Sequence, residues 1–222
     1  MSLVRVDEEY FLASPESTTT RLGPDPISQR PEWQLCGEAR NGREAVELAK
    51  SLRPDIVVLD LSMPELNGLE ATRQIRKLLP KAEILAFTMH DTEDLVTQVI
   101  AAGARGYLLK SDAMAHLGHA IEALAQHKPF FAPAVSQIML DAVAGSAKEG
   151  GSGGIERETL TPREREIIQL LAEGNNNKTI SAALGLSVTT VQTHRAAIMR
   201  KLDIKSIAEL VRYAVRNKII DA

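Results

Sequence analysis

Ile56-Val57-Val58-Leu59-Asp60-Leu61-Ser62-Met63-Pro64-Glu65-Leu66-Asn67-Gly68 is the stretch whose reading decides the fold of the first two-thirds of this chain. Four aliphatic residues without polar alternation read as a strand buried on both faces of a parallel sheet. The strand carries one carboxylate, Asp60, to its C-terminal end, and the chain then turns through Pro64 and Gly68. In open α/β sheets, ligands and chemistry collect beyond the carboxyl ends of the strands. An aspartate in this place also serves simply to cap the next turn, and on this stretch alone both readings stand.

The sequence around it supplies the rest of the sheet. Residues 34–38 read as a strand. Asn41 starts a helix with Glu44 three positions on, burying Ala45, Val46, Leu48, Ala49 and Leu52 and stopping before Pro54. After the Asp60 strand, a helix over residues 70–79 ends at Pro80, and a strand covers residues 83–88. A helix over 92–102 capped by Asp91, a strand over 106–109 and a helix over 113–126 follow. Strands alternating with helices of this length mean βαβ units, a parallel sheet and helices on both faces. Toward the N-terminus, Leu3-Val4-Arg5-Val6 reads as a short strand followed by the acidic run Asp7-Glu8-Glu9. Residues 14–31, with four prolines and three consecutive threonines, read as a loop or disordered segment. Residues 133–143 are a candidate further helix, and Lys148-Glu149-Gly150-Gly151-Ser152-Gly153-Gly154 reads as a flexible linker.

The 222 residues fit one or two domains with an ordinary core. No apolar run reaches the roughly 18 residues needed to span a membrane, and no basic-then-apolar signal peptide opens the chain. The single Cys36 forms no internal disulfide and fits a reducing cytoplasm. Charge is split: residues 1–154 hold 15 Lys and Arg against 21 Asp and Glu, whereas residues 155–222 hold 11 against 8. An acidic module joined to a basic one points to a polyanionic partner for the second.

That second part reads as four short helices. Thr161-Pro162-Arg163-Glu164 is a capping box with Pro at the first helical position. Its helix carries Ile167, Ile168, Leu170 and Leu171 and ends at Gly174. Asn177 begins a second helix with Ile180, Ala183 and Leu184 inside, closed by Gly185. Ser187 caps a third, running to about Leu202, and Ser206-Ile207-Ala208-Glu209 opens a fourth with Leu210, Val211, Ala214 and Val215. A Gly-bearing turn between the second and third helices has the form of a helix-turn-helix. Stepping 100° per residue from Val191 places Ile198 and Leu202 within roughly 20° of it, which defines the buried side. Thr193, Ala196, Ala197 and Arg200 fall roughly 140–240° away, with Gln192 at the edge of that face. Gln, Thr and Ala can read base edges in a major groove; a plain solvated face has the same composition. His194 and Arg195 flank the buried side, His194 as a packed histidine and Arg195 reaching outward to a phosphate.

These motifs together resemble a known family. Leu59-Asp60-Leu61-Ser62-Met63-Pro64 with Gly68, Ala86-Phe87-Thr88 and Gly106-Tyr107-Leu108-Leu109-Lys110 resemble the receiver domain of bacterial two-component response regulators. Leu160-Thr161-Pro162-Arg163-Glu164-Arg165-Glu166, Asn177-Lys178-Thr179-Ile180 and Leu186-Ser187 with Thr190-Val191, Thr193-His194 and Lys201-Leu202 resemble the LuxR-type DNA-binding domain, and the pair resembles the NarL/FixJ class. The resemblance implies a flavodoxin-like α/β receiver joined to a small all-α helix-turn-helix domain of four helices; the atypical residues 1–33 leave open whether its first strand and helix are regular or degenerate. Its implied bounds are 1–130 for the receiver (1–33 atypical), 131–154 for the linker and 155–222 for the DNA-binding domain.

The resemblance further implies a transcription regulator, not an enzyme, phosphorylated on Asp60 by a sensor histidine kinase and binding promoter DNA as a homodimer in the cytoplasm, with no membrane partner. Thr88 and Lys110 would support the phosphoryl group, and Tyr107 would be the switch aromatic; an ordinary half-buried strand tyrosine is the alternative. Mg²⁺ would be held by Asp60 with Asp7 and Glu8, the candidate acidic pair. Arg5 in the first strand and the Pro- and Thr-rich sequence after it depart from the family pattern, as does Thr179, where members usually carry Glu. Gln192, Thr193 and Ala196 match base-reading positions; Lys178, Arg195, Arg200 and Lys201 match phosphate contacts; the last helix would supply the dimer contact. A second reading is a pseudo-receiver regulator controlled without phosphorylation. A third, a phosphohydrolase using Asp60, would want an Asp where Ser62 stands.

Overall fold

A computed structural model describes residues 3–6, 8–13, 33–132, 135–136 and 160–220. The chain divides into two compact units, with the boundary in the sequence at Gly150–Gly151. No helix among the described residues is long and apolar enough to cross a membrane.

The first unit is an α/β sheet built on the expected βαβ pattern. Its elements are β1 (Leu3–Val6), β2 (Glu8–Ala13), β3 (Trp33–Ala39), α1 (Gly42–Leu52), β4 (Ile56–Asp60), α2 (Gly68–Leu78), β5 (Glu83–Thr88), α3 (Glu93–Ala101), β6 (Gly106–Leu109), α4 (Ala113–Ala125) and β7 (Phe130–Phe131). The strand order is β1-β3-β2-β4-β5-β6-β7. Strands β2, β4, β5, β6 and β7 pair in parallel, whereas β1 runs antiparallel to both β2 and β3. Every residue of β4 and β5 is buried, as their unbroken apolar runs require. Helix α4 covers one face, where Leu117, Ala120, Ile121 and Leu124 meet Trp33, Ile56, Val58, Leu85, Phe87 and Leu108. Helices α1 and α2 pack on each other and on β3–β5, with α3 beside α2.

The N-terminal reading needs correction. Leu3–Val6 is a strand, but an antiparallel one, and the place beside the Asp60 strand belongs to β2, whose Tyr10 to Ala13 pair with Ile56 to Leu59. The strand that carries Arg5 lies instead at the edge of the sheet. The sheet therefore keeps its central strand. The expected loop over 14–31 and most of the candidate helix over 133–143 lie outside the described residues; of the latter, only Val135 and Ser136 are described, and both are helical.

Helix ends follow local chemistry. Asn41 and Asn67 cap α1 and α2, each accepting from the backbone N–H three residues on. Asn67 starts α2 at Gly68, two residues earlier than the apolar period indicates. Asp91 does not cap α3: Thr92 occupies that position and makes no side-chain cap hydrogen bond.

The second unit holds α5 (Pro162–Ala172), α6 (Asn177–Leu184), α7 (Val188–Lys201) and α8 (Ile207–Arg216). Their core gathers Ile167, Ile168, Leu170, Leu171, Ile180, Leu184, Val191, Ile198, Leu210 and Ala214. The Thr161–Glu164 capping box is formed in both directions. Asn176, one residue before the expected start, caps α6. Ala183 is exposed rather than packed. Gly185 ends α6 in the left-handed region at φ 63°, which an L side chain rarely adopts, and Ser187 caps α7 at once.

Candidate functional sites

Strand β4 brings Asp60 to the C-terminal edge of the sheet with its side chain 1% exposed. One carboxylate oxygen, Oδ1, accepts from the Ser62 N–H at 3.0 Å, and Oδ2 accepts from Lys110 Nζ at 2.7 Å. A buried carboxylate needs such a cation and such donors to stay charged. The Ser62 bond is the turn-capping contact of the alternative reading, so Asp60 caps the turn after β4 as well as meeting Lys110, while Asn67 caps α2.

Lys110 follows β6 directly, and its ammonium also lies 6.0 Å from the Phe87 ring centroid, the outer reach of a cation–π contact. Thr88 ends β5 opposite Leu109, fully buried, and its Oγ1 accepts from the His90 N–H at 3.2 Å. Asp60, Thr88 and Lys110 thus sit at the ends of three adjacent strands.

Tyr107 is completely buried, not half-buried, and its hydroxyl donates to the His90 carbonyl at 2.6 Å. Burial first, and the nearby Asp91 charge second, push its phenol well above the usual range. The His90 peptide therefore touches both Thr88 and Tyr107 through its backbone, a position that motif matching did not single out.

Of the expected metal ligands, Asp60 stands at the C-terminal edge of the sheet and Glu8 at the opposite end of β2. Glu8 opens β2 and Ala13 closes it, and it is Ala13 that pairs with Leu59, next to Asp60. Five residues of extended chain, roughly 16 Å, separate Glu8 from that end. Asp7 lies outside the described residues. The Asp60 end of β2 is Leu12 and Ala13, and no group of three His, Cys, Asp or Glu able to hold a metal is found among the described residues. Among the described residues, Asp60 is thus the one expected Mg²⁺ ligand at this end of the sheet.

Gly68 is a second feature that the turn reading left incomplete. A Cβ there would lie 2.0 Å from the Asp60 carbonyl oxygen and 2.8 Å from Leu61 Cα. Its N–H donates to the Leu61 carbonyl at 3.0 Å. The glycine lets the start of α2 lie directly against the backbone of Asp60.

In the second unit, α7 buries Val191 and Ile198 and exposes Gln192, Thr193, Ala196 and Arg200. Arg195, Ala197 and His194 are intermediate, and Lys178 is exposed in the first turn of α6. Lys201 stands apart from the expected phosphate contacts. Its Nζ pairs with Glu164 Oε2 at 3.2 Å, with the side chains 17% and 13% exposed, joining the end of α7 to the start of α5. The expectation came from the family resemblance, which does not show the Glu164 partner 37 residues away in sequence.

Burial pushes the Glu164 carboxyl up, but the Thr161 N–H, the Lys201 ammonium and the Thr161 hydroxyl outweigh it and hold the group below its ordinary range. A depressed carboxyl stabilises the fold above its unfolded-state pKa, and that contribution is lost as pH falls through the folded-state value. Lys201→Met should cost roughly 1–2 kcal/mol at neutral pH and shift the acid loss of α5 and α7 protection to higher pH. Hydrogen exchange of those amides against pH checks this; an unchanged profile would remove the pair from the account.

The fold and these two sites define a parallel α/β domain with a buried, lysine-paired carboxylate at its C-terminal edge, followed in the chain by a helix-turn-helix domain. Residues 27–122 match the response regulator receiver domain, and residues 158–214 match the bacterial regulatory proteins of the luxR family. The chain is 36% identical over 195 residues to the transcriptional regulatory protein LiaR of Bacillus subtilis, covering 88% of this chain and 90% of that protein. It is 33% identical to the nitrate/nitrite response regulator protein NarL of Escherichia coli, covering 87% and 88%. Among solved structures, a LuxR-family two-component response regulator from Aurantimonas is 34% identical with a TM-score of 0.56, covering 61% of this chain and 97% of that one. The Salmonella typhimurium RcsB response regulator, at 23% identity and TM-score 0.54 over 93% and 98%, shares the fold. The chain belongs to the two-component response regulators of the NarL, LiaR and DegU type, DNA-binding transcriptional regulators that join a receiver domain to a luxR-family helix-turn-helix.

Proposed function

We propose that this regulator, acting in the cytoplasm, takes a phosphoryl group on Asp60 from a sensor histidine kinase and binds promoter DNA as a homodimer through α7. The observation that carries the reading is the convergence of Asp60, Thr88 and Lys110 at the ends of three adjacent strands. In the transfer, an Asp60 carboxylate oxygen forms a bond to phosphorus as the bond from phosphorus to the kinase histidine nitrogen breaks, leaving an aspartyl phosphate and a free imidazole. Lys110 faces the added charge, and the Thr88 hydroxyl serves as a donor to a phosphoryl oxygen. Tyr107, clasped to the loop after β5, reports the change through His90. Gln192, Thr193 and Ala196 meet bases, Lys178, Arg195 and Arg200 meet phosphates, and α8 supplies the dimer contact.

A second reading keeps the DNA-binding function and drops the phosphate: the regulator answers to another contact on its receiver. What favours it is the place of Glu8, at the far end of β2 from Asp60. One assay separates the two. Intact protein and Asp60→Asn are incubated with acetyl phosphate, with and without Mg²⁺, and read by mass and by DNA binding. A phosphate-sized gain in the wild type, absent in the variant and accompanied by tighter DNA binding, supports the first reading. No gain with undiminished DNA binding supports the second.

A further inference from the structure

We propose that Thr189 is a further sequence-reading residue of α7, and that Thr193 reads its base as a hydrogen-bond acceptor only. The inference rests on the reading of α7 as the helix that enters the groove.

Three threonines occupy the first half of this helix, and their hydroxyls are committed differently. Thr190 shares a hydrogen bond with Ser187 at 2.8 Å, inside the cap. The Thr193 hydroxyl donates its proton to the Thr189 carbonyl one turn back, at 3.0 Å. Thr189, exposed in the first turn, is the one of the three whose hydroxyl has no hydrogen bond among the described residues. At 100° per residue, Thr189 stands roughly 160° from the buried Val191, at the centre of the outward face. It forms a continuous stripe with Thr193, Ala196 and Arg200 at successive steps of four, three and four residues, and all four are exposed. A groove-docked helix reads bases mainly with its N-terminal residues, and Thr189 lies further toward that end than any position the motif supplies.

The chemistry at each threonine follows from its proton. Having given its proton to the helix, the Thr193 oxygen keeps lone pairs for an adenine N6 or cytosine N4 amino group, and its methyl remains for a thymine methyl. It has nothing to offer the O6 and N7 acceptors of guanine. The Thr189 hydroxyl retains both roles and adapts to either kind of edge.

The test is selection of binding sites by the full chain from a random-sequence duplex library, for the wild type, Thr189→Ala, Thr193→Val and Ala196→Asp. Thr189→Ala is expected to lose preference at one base position, on the order of fivefold or more, with the salt dependence of binding unchanged. Thr193→Val, which keeps the shape and loses the acceptor, is expected to admit guanine at a neighbouring position. Selected sequences that do not change for Thr189→Ala overturn the proposal. So does an affinity loss that is uniform across sequences with a shallower salt slope, the mark of a phosphate contact. Should Ala196→Asp also select the wild-type sequences, the groove assignment itself fails, which separates that failure from a wrong role for Thr189 alone.

Discussion

Gly68→Ala is expected to destabilise the receiver by about 3 kcal/mol or more, an unusually large effect for one added methyl group. The atoms that the new Cβ would strike are backbone: the Asp60 carbonyl oxygen at 2.0 Å, its carbon at 2.8 Å and Leu61 Cα at 2.8 Å. No rotamer change relieves a clash with main chain, so β4 and the start of α2 must separate and Asp60 must move with them. Gly118 on α4 provides the control, because a Cβ there meets nothing within 4 Å. Gly118→Ala should raise stability by about 0.5–1 kcal/mol through helix propensity. Urea denaturation of both variants distinguishes a close backbone approach at Gly68 from a general intolerance of substitution. Two similar midpoints would sink the first account.

Lys110→Met should come next in size, at about 3 kcal/mol, because it strips the cation from a carboxylate that is itself 1% exposed. The double variant Asp60→Asn with Lys110→Met removes the stranded charge and should recover most of the loss. A cycle of the four proteins, measured by denaturation, gives the coupling directly. Coupling near zero would mean that the 2.7 Å contact between them contributes little, and with it the case for Lys110 as the fixed countercharge of the site.

Much of this arrangement is legible in the sequence. Strands β5 and β6 fall on the residues that apolar runs and flanking turns mark, and Asp60 ends its strand as read. Helix starts are legible at the side-chain caps Asn41 and Thr161, but not at Asn67, where the apolar period begins two residues inside α2, nor at α3, whose Thr92 makes no cap bond. Strand β2 is not legible because it opens on the acidic pair Glu8-Glu9, which leaves only four residues of apolar pattern from Tyr10 to Ala13. Strand β7 spans two residues, too short for any period to register. At the sites, the strand pattern marks Asp60 and the family resemblance marks Thr88 and Lys110, and the parallel sheet places the C-terminal ends of their three strands together. Contacts between distant segments are another matter. The Glu164 partner of Lys201 and the His90 carbonyl beneath Tyr107 depend on packing that no local pattern encodes.

Trp33, the single tryptophan of the chain, is packed among the α4 side of the sheet at 8% exposed. The helix-turn-helix unit therefore contributes no indole emission. Fluorescence excited at the red edge of the absorption band follows the receiver alone, while far-ultraviolet dichroism follows the helices of both units. Melted under one set of conditions, the unlabelled protein gives two optical records, and their separation measures how far the two units unfold independently.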